Sequence, residues 1–176
     1  KEYLATALSE LGCTVDDLSA HLSIDCGDSP TSIAEASFYQ EQWRQVLGIE
    51  VAVNSMITKQ GSQNRKTGNY VMSVTGWGPD YNDPNTFLDM WVTEGGNNQT
   101  GFSNERYDEL IDLASKETDL EKRESYFIEC EQIIADQLPI GPSFWRAPSY
   151  ACSDKIKGGM HRSTFQEINA VYVKLS

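Results

Sequence analysis

The chain has 176 residues, enough for one domain with a substantial core, and its hydrophobic fraction of 39% and charged fraction of 23% are ordinary for a globular protein. Asp and Glu outnumber Lys and Arg by 26 to 14, so the formal net charge is −12, which argues against a surface that binds nucleic acid or anionic lipid. No run of residues approaches the roughly 18 apolar positions of a membrane span, and no targeting signal opens the sequence, so we expect a piece of a longer protein.

Helical and strand-like patterns alternate through the first part of the chain. Gly12, Gly48 and Gly68 each stand where a helix would end, because glycine readily adopts the left-handed conformation found at helix C-termini. The predicted helices cover residues 1–12, 32–48 and 58–68, and the predicted strands cover residues 20–26, 49–53 and 71–75. An alternation of this kind predicts an α/β sheet whose strands are joined by right-handed crossovers.

The third predicted strand runs into a break at residues 76–84, where two glycines and a proline interrupt strand pairing. Asp80 follows the break, with Trp77 and Tyr81 as aromatic neighbours. Asp83 is followed by proline, a pair that favours the start of a helix. A strand end before a helix is a common ligand position in open α/β sheets, and the plain alternative is an ordinary strand–turn–helix connection.

The remainder of the chain predicts two amphipathic helices followed by extended segments. Ser103 or Asn104 caps the first helix, whose predicted buried positions are Tyr107, Leu110, Ile111 and Ala114. Thr118 caps the second, whose apolar stripe comprises Leu120, Phe127, Cys130, Ile133, Ile134 and Leu138. The acidic residues of the second helix are expected to face solvent. Prolines interrupt residues 138–152, and residues 170–175 predict a final strand.

The four cysteines, Cys13, Cys26, Cys130 and Cys152, include no C-x-x-C pair, which disfavours a structural zinc site. Buried free thiols are favoured over disulfides, although both alternatives remain open. The sequence points to no cofactor and no metal.

Catalytic arrangements find little support in the residue pattern. The two histidines, His21 and His161, have no neighbouring pattern that suggests the nucleophile of a Ser–His–acid triad. Asp80 and Asp83 could act as the acid and base of a glycosidase, with Trp77 as a sugar platform. Both carboxylates lie in one short turn, however, whereas paired catalytic carboxylates usually face each other across a cleft.

Four segments, in order along the chain, resemble a known family. Residues 76–84, Gly-Trp-Gly-Pro-Asp-Tyr-Asn-Asp-Pro, resemble the G-W-x-x-D-Y-x-D-P segment of the peptide-binding proteins of ABC transporters, an extracellular family with oligopeptide-, dipeptide- and nickel-binding members. Residues 38–51 resemble the family's helix and its L-G-I-x-V step into a strand. Residues 101–111 resemble its G-[YF]-x-N-x-x-[YF]-D-x-L-[IL] helix start, and residues 119–142 its next helix and exit. The likeness covers nearly the whole chain.

The resemblance implies an α/β fold, the C-terminal lobe of a two-lobed periplasmic-binding-protein-like (type II) fold, with a mixed sheet flanked by helices. Residues 1–176 would form this single lobe, with residues from about 155 to 176 as a tail that could pack on the missing N-terminal lobe. The implied protein is extracellular or periplasmic, anchored to the membrane through the absent N-terminus. It would deliver oligopeptides to the permease of an ABC importer without catalysis. An oligosaccharide or a nickel chelate is the alternative ligand.

The resemblance also implies where the ligand binds. An extended peptide would run beside Gly76, Trp77 and Gly78, because glycines let another backbone approach closely. Asp80 would accept the peptide's α-ammonium group in a charge-assisted hydrogen bond, and Trp77 would form a wall of a side-chain pocket. The predicted ligand-binding residues are therefore Gly76, Trp77, Gly78, Asp80 and Tyr81.

Overall fold

The computed structural model describes residues 1–145, 151–158, 161–162, 168–169 and 174–175. The chain forms two compact units, Lys1–Gly76 and Trp77–Ser176. In the described part of the chain, no helix is both long enough and apolar enough to cross a lipid bilayer.

Helices and strands alternate in the first unit, as the sequence predicts. The helices are α1 (Glu2–Leu11), α2 (Val15–Ser19), α3 (Pro30–Leu47) and α4 (Thr58–Thr67), and the strands are β1 (Ser23–Gly27), β2 (Ala52–Met56) and β3 (Met72–Ser73). The strands form a sheet in the order β2-β1-β3, in which both pairings are parallel. The α/β prediction is therefore confirmed, and this sheet of the first unit is parallel throughout.

The helix boundaries of the first unit follow from local chemistry. Ser29 caps α3 by accepting a hydrogen bond from the Ser32 amide at 3.2 Å, and a proline occupies the first turn. Gly48 ends α3 with φ 73°, a left-handed conformation that glycine adopts without strain. The short helix α2 was not predicted, although Thr14 and Asp17 form a capping box at its start.

The core of the first unit forms where α3 packs on the sheet. Its buried members are Ile24, Cys26, Ala36, Ile49 and Val51. Since β1 is the central strand, its polar residue Asp25 is also buried, at 5% exposure. Helix α3 is covered only in part, because Val46 is 53% exposed and only Ala36 of that helix is buried.

The second unit is dominated by a pair of contacting helices. Its elements are α5 (Asn85–Leu88), a 3-10 turn (Asp89–Trp91), α6 (Glu105–Lys116), α7 (Leu120–Gln137), β4 (Ile156–Lys157), β5 (His161–Arg162), β6 (Ile168–Asn169) and β7 (Lys174–Leu175). The short strands form two antiparallel pairs, β4 with β7 and β5 with β6. The predicted strand at 170–175 is confirmed at 174–175, and residues 170–173 lie outside the described residues.

Helix α6 buries all four of the residues predicted for its inner face. Asn104 caps it by accepting a hydrogen bond from the Tyr107 amide at 2.9 Å, which settles the choice between two predicted caps. The Tyr107 hydroxyl donates to the Leu88 carbonyl at 2.6 Å inside the core. Helix α7 begins one residue later than predicted, with Asp119 rather than Thr118 as its cap.

The predicted apolar stripe of α7 is only partly correct. Phe127, Cys130 and Ile134 are buried, whereas Leu120 is 77% exposed and Leu138 is 68% exposed. Helical periodicity identifies the face on which a residue lies, but at the helix ends no neighbouring element covers that face.

All four cysteines are free, so the favoured expectation of buried free thiols is confirmed for Cys26 and Cys130 and is wrong about burial for Cys13 and Cys152. Cys26 and Cys130 are buried, Cys13 is half-buried and Cys152 is exposed. Burial raises the pKa of Cys130 to about 11, which keeps this thiol protonated and unreactive at neutral pH.

Candidate functional site

The predicted ligand-binding residues cluster at the start of the second unit. Gly76 is the last residue of the first unit, and Trp77, Gly78, Asp80 and Tyr81 belong to the second. We call residues 77–84 the site loop. It contains no regular helix or strand, so its conformation depends on a few specific contacts.

The two glycines leave space for an approaching backbone. A Cβ atom built at Gly76 or at Gly78 would meet no described atom within 4 Å. Neither glycine has a positive φ, so neither is required by a left-handed backbone conformation.

Asp80 is exposed, and within the described ranges no group donates a hydrogen bond to its carboxylate. Its backbone amide, in contrast, is engaged and donates to Thr86 Oγ1 at 2.9 Å. The main chain at Asp80 is thus held by one hydrogen bond, and the described residues leave the carboxylate oxygens without a donor. A carboxylate in that state can accept a hydrogen bond from a cationic ligand group.

Trp77 is 42% exposed and its ring is oriented by one hydrogen bond. The indole Nε1 donates to the carbonyl oxygen of Thr86 at 3.0 Å. Thr86 is 2% exposed and belongs to α5, so a single buried residue contacts the site loop at both Trp77 and Asp80.

Asp83 anchors the far end of the site loop. Its two carboxylate oxygens accept hydrogen bonds from Arg123 Nη1 at 2.7 Å and Nη2 at 2.9 Å, and Oδ1 also accepts from the Asn85 amide at 2.9 Å. The predicted cap is wrong, because α5 begins at Asn85 with Pro84 rather than Asp83 as its N-cap, although the Asp83 carboxylate still accepts from the first amide of the helix. The hydrogen bonds from Arg123 lower the pKa of the Asp83 carboxyl.

Arg123 makes further contacts that fix its position. Its Nε donates to the Ala114 carbonyl at 3.0 Å, and its guanidinium lies 4.6 Å from the centre of the Phe127 ring. The side chain keeps 23% exposure. The ion pair therefore connects the site loop to both α6 and α7.

Tyr81 is also 42% exposed and its hydroxyl is engaged locally. The hydroxyl accepts from Asn85 Nδ2 at 2.9 Å and lies 3.4 Å from Asp89 Oδ2. Since the hydroxyl is held in this way, Tyr81 offers a ligand mainly the face of its ring. The Asn85 Oδ1 atom is buried without a hydrogen-bond partner among the described residues.

The described part of the second unit also contains a groove, which lies apart from the predicted ligand-binding residues. A groove of about 300 Å³ lies beside Pro84, with Leu120, Phe127 and Ile128 in its wall, and it includes none of the predicted ligand-binding residues. Across the described ranges, no three His, Cys, Asp or Glu side chains converge as metal ligands would.

Two contacts of the site loop were missed at the sequence level. Arg123 lies three positions after Leu120 and four before Phe127, so helical spacing puts this charge on the apolar stripe of α7 and could have indicated a buried partner. That partner, Asp83, lies 40 residues away and could not have been identified by spacing. Thr86 carries no comparable signal, because a single threonine before Phe87 is unremarkable in a sequence.

Solved structures and curated sequences similar to this chain agree on one architecture. The chain is 33% identical over 166 residues to the "Oligopeptide-binding protein OppA" of Bacillus subtilis (strain 168), covering 90% of this chain and 29% of the relative. It superposes on "Listeria monocytogenes OppA bound to peptide" with a TM-score of 0.79 and 28% identity, over 98% of this chain and 32% of that one. A Bacillus anthracis str. Ames "oligopeptide ABC transporter" substrate-binding domain gives a TM-score of 0.82 at 26% identity, over 98% and 33%.

These matches confirm the predicted fold class, that of type II periplasmic-binding proteins. The chain spans about a third of the length of these three relatives. Residues 1–99, which include the site loop, match the profile described as "Bacterial extracellular solute-binding proteins, family 5 Middle". The chain therefore belongs to the bacterial extracellular solute-binding proteins of family 5.

Proposed function

We propose that the full-length protein carrying these residues captures oligopeptides and delivers them to the membrane permease of an ABC importer, without catalysing a reaction. The observation that supports this most directly is the Asp80 carboxylate, exposed and without a donor among the described residues, beside an oriented tryptophan and two open glycines. Relatives named for oligopeptide and dipeptide binding support the same ligand class.

Peptide binding uses each part of the site loop. The α-ammonium group of the peptide donates to Asp80, and the peptide backbone runs past Gly78, where no Cβ obstructs its approach. Trp77 and Tyr81 present ring surface to the first side chains. Binding through the main chain and the amino end accepts many sequences, as a transport protein for mixed peptides requires.

The alternative ligands and activities fit these contacts less well. A sugar would use the Trp77 ring but would not need a free carboxylate to meet an ammonium group. A glycosidase would need Asp80 or Asp83 as a proton donor. Asp83 is unsuited to donate, because Arg123 occupies both of its oxygens and lowers its pKa.

We further propose that these residues are one lobe of a two-lobed protein at the outer surface of the membrane, held there by an N-terminal anchor. Further relatives carry the names "Periplasmic murein peptide-binding protein MppA" and "Periplasmic oligopeptide-binding protein OppA", and each is about three times the length of this chain. In this proposal, residues from about 155 to 176 pack on the other lobe, and lobe closure removes water from the ion pair between peptide and Asp80.

The test compares Asp80→Ala with the wild type in the full-length protein, using tetra-alanine and N-acetyl-tetra-alanine as probes in calorimetric titrations. The hydrogen bond to a charged group contributes about 1.5–3 kcal/mol, so we expect Asp80→Ala to weaken binding of the free peptide about 10- to 100-fold. The N-acetyl peptide should bind weakly to both proteins.

Asp16→Ala is the matched control, since Asp16 is an exposed carboxylate at the start of α2, in the first unit. It should leave both affinities unchanged. Equal affinity of the wild type for free and N-acetylated peptide would refute the role of Asp80, and binding of neither peptide would count against peptides as the ligand class.

A further inference from the structure

Among the residues that the structure describes, only Thr86 hydrogen-bonds to two of the predicted ligand-binding residues of the site loop. Its hydroxyl oxygen accepts from the Asp80 amide at 2.9 Å, and its carbonyl oxygen accepts from the Trp77 indole at 3.0 Å. The two contacts use different atoms, one in the side chain and one in the main chain. Substitution of the side chain can therefore remove one contact and keep the other.

Few other features restrain the backbone of residues 77–80, between the two contacts with Thr86. Gly78 adds backbone freedom, and Pro79 has no amide hydrogen to donate. The Asp80 amide is therefore the first main-chain donor after the proline, and Thr86 receives it. Thr86 itself is 2% exposed, and the neighbouring Leu88 of the same short helix belongs to the core of the second unit.

We propose, on the basis of the peptide-binding function proposed above, that Thr86 is a positioning residue that holds the Asp80 carboxylate in place for the α-ammonium group of a peptide. The hydroxyl fixes the Cα of Asp80, and the carbonyl independently fixes the Trp77 ring. Thr86 contacts no ligand itself. Its loss should therefore change the preference for a free amino terminus more than it changes affinity in general.

The primary variant is Thr86→Val, which nearly preserves the shape of the side chain and removes the hydrogen-bond acceptor. The measured quantity is the ratio of dissociation constants for N-acetyl-tetra-alanine and tetra-alanine, determined by calorimetry on the full-length protein. Loss of one buried hydrogen bond to the loop should lower this ratio about tenfold. Thr86→Ser keeps the hydroxyl and should retain most of the wild-type ratio.

Two further variants separate positioning from a general effect on stability. Thr67→Val makes the same chemical change in α4, where the Thr67 hydroxyl donates to the Gln63 carbonyl, and it should leave the ratio unchanged. Trp77→Phe removes the indole donor and should weaken both peptides alike, without loss of the preference for a free amino terminus. If Thr86→Val fails to fold, Thr86→Ala provides the same loss of acceptor with less bulk.

The decisive measurement is a double-mutant cycle with Asp80→Asn. If Thr86 acts through Asp80, adding Thr86→Val to Asp80→Asn should not lower the ratio further. A ratio that falls equally in both backgrounds, or Thr86→Val weakening both peptides equally, would overturn the positioning role while leaving the proposed function intact. If Asp80→Asn alone leaves the wild-type ratio unchanged, both the positioning role and the anchoring role of Asp80 are overturned.

Discussion

One shielded carboxylate from each unit, Asp25 in the first and Asp83 in the second, can be compared, because the two have different partners. In the first unit, Asp25 is 5% exposed and accepts hydrogen bonds from the side-chain amides of Asn54 and Asn64, both at 3.2 Å. In the second unit, Asp83 keeps 26% side-chain exposure and is bound by both terminal nitrogens of Arg123, at 2.7 and 2.9 Å. The more buried carboxylate thus has neutral partners, and the less buried one has a cation.

This difference reflects how each unit is built. Asp25 and Asn54 are direct neighbours in the parallel register of β1 and β2, so the sheet itself brings them together. Asp83 lies in the site loop, where no strand or helix ladder fixes the backbone. A bidentate ion pair supplies strength and direction that a loop lacks. Regular structure therefore positions the first carboxylate, whereas the second carboxylate positions its own irregular segment.

The largest effect is expected from Asp83→Asn. The substitution keeps the size of the side chain but directs an amide NH₂ group at Arg123, so one hydrogen bond becomes a contact between two donors. Breaking a fully buried pair costs 3–5 kcal/mol, and with the exposure that remains here we expect about 2 kcal/mol of lost stability. Hydrogen–deuterium exchange in peptides from α6 and α7 measures the loss.

The control for this prediction is Asp112→Asn, which breaks an ion pair with Lys116 in the same unit. Those side chains are 60% and 69% exposed, so the loss should stay below about 0.5 kcal/mol. Comparable losses in the two variants would show that the Asp83–Arg123 pair is an ordinary surface contact.

The second prediction concerns acid pH. The hydrogen bonds from Arg123 lower the pKa of Asp83 in the folded protein, so its contribution to stability is present above the unfolded pKa of about 3.9 and is lost as pH falls through the folded value. The difference in urea midpoint between wild type and Asp83→Asn should therefore be full at pH 7 and shrink below about pH 4. Other carboxylates titrate in both proteins and cancel in the difference. A midpoint difference at pH 3 equal to that at pH 7 would contradict the ion pair as its source.

The sequence predicted regular structure well wherever a single period determined the outcome. All four buried positions of α6 were correct, and the glycines that end α1, α3 and α4 were identified from their positions at the ends of helical patterns. The burial of Asp25 was not predicted, because an alternating pattern does not reveal that β1 is the central strand with both faces covered.

The contacts that hold the site loop, in contrast, could not be predicted from the sequence. Its ligand-binding residues were proposed from a motif, and the structure places Asp80 and Trp77 on its surface, but the contacts that hold them could not be predicted. Thr86 accepts from the Asp80 amide six residues away, and Arg123 forms a bidentate ion pair with Asp83 40 residues away. Neither separation corresponds to a helical or strand period. Prediction from periodicity ends where the backbone becomes irregular.

The smallest effect is expected from Asp25→Asn. The new side chain can accept from only one of the two facing amides, and Asn64 cannot reverse its amide freely because its Oδ1 accepts from Gln60 at 2.8 Å. Asn54 is exposed and can rotate, and removal of a buried charge lowers the desolvation cost of folding. We therefore expect a loss of about 1 kcal/mol or less, measured by hydrogen exchange in peptides from β1 and β2. A loss as large as that of Asp83→Asn would contradict this prediction. It would mean that the first unit needs the charge of Asp25, and that neutral amides stabilise this carboxylate as strongly as Arg123 stabilises Asp83.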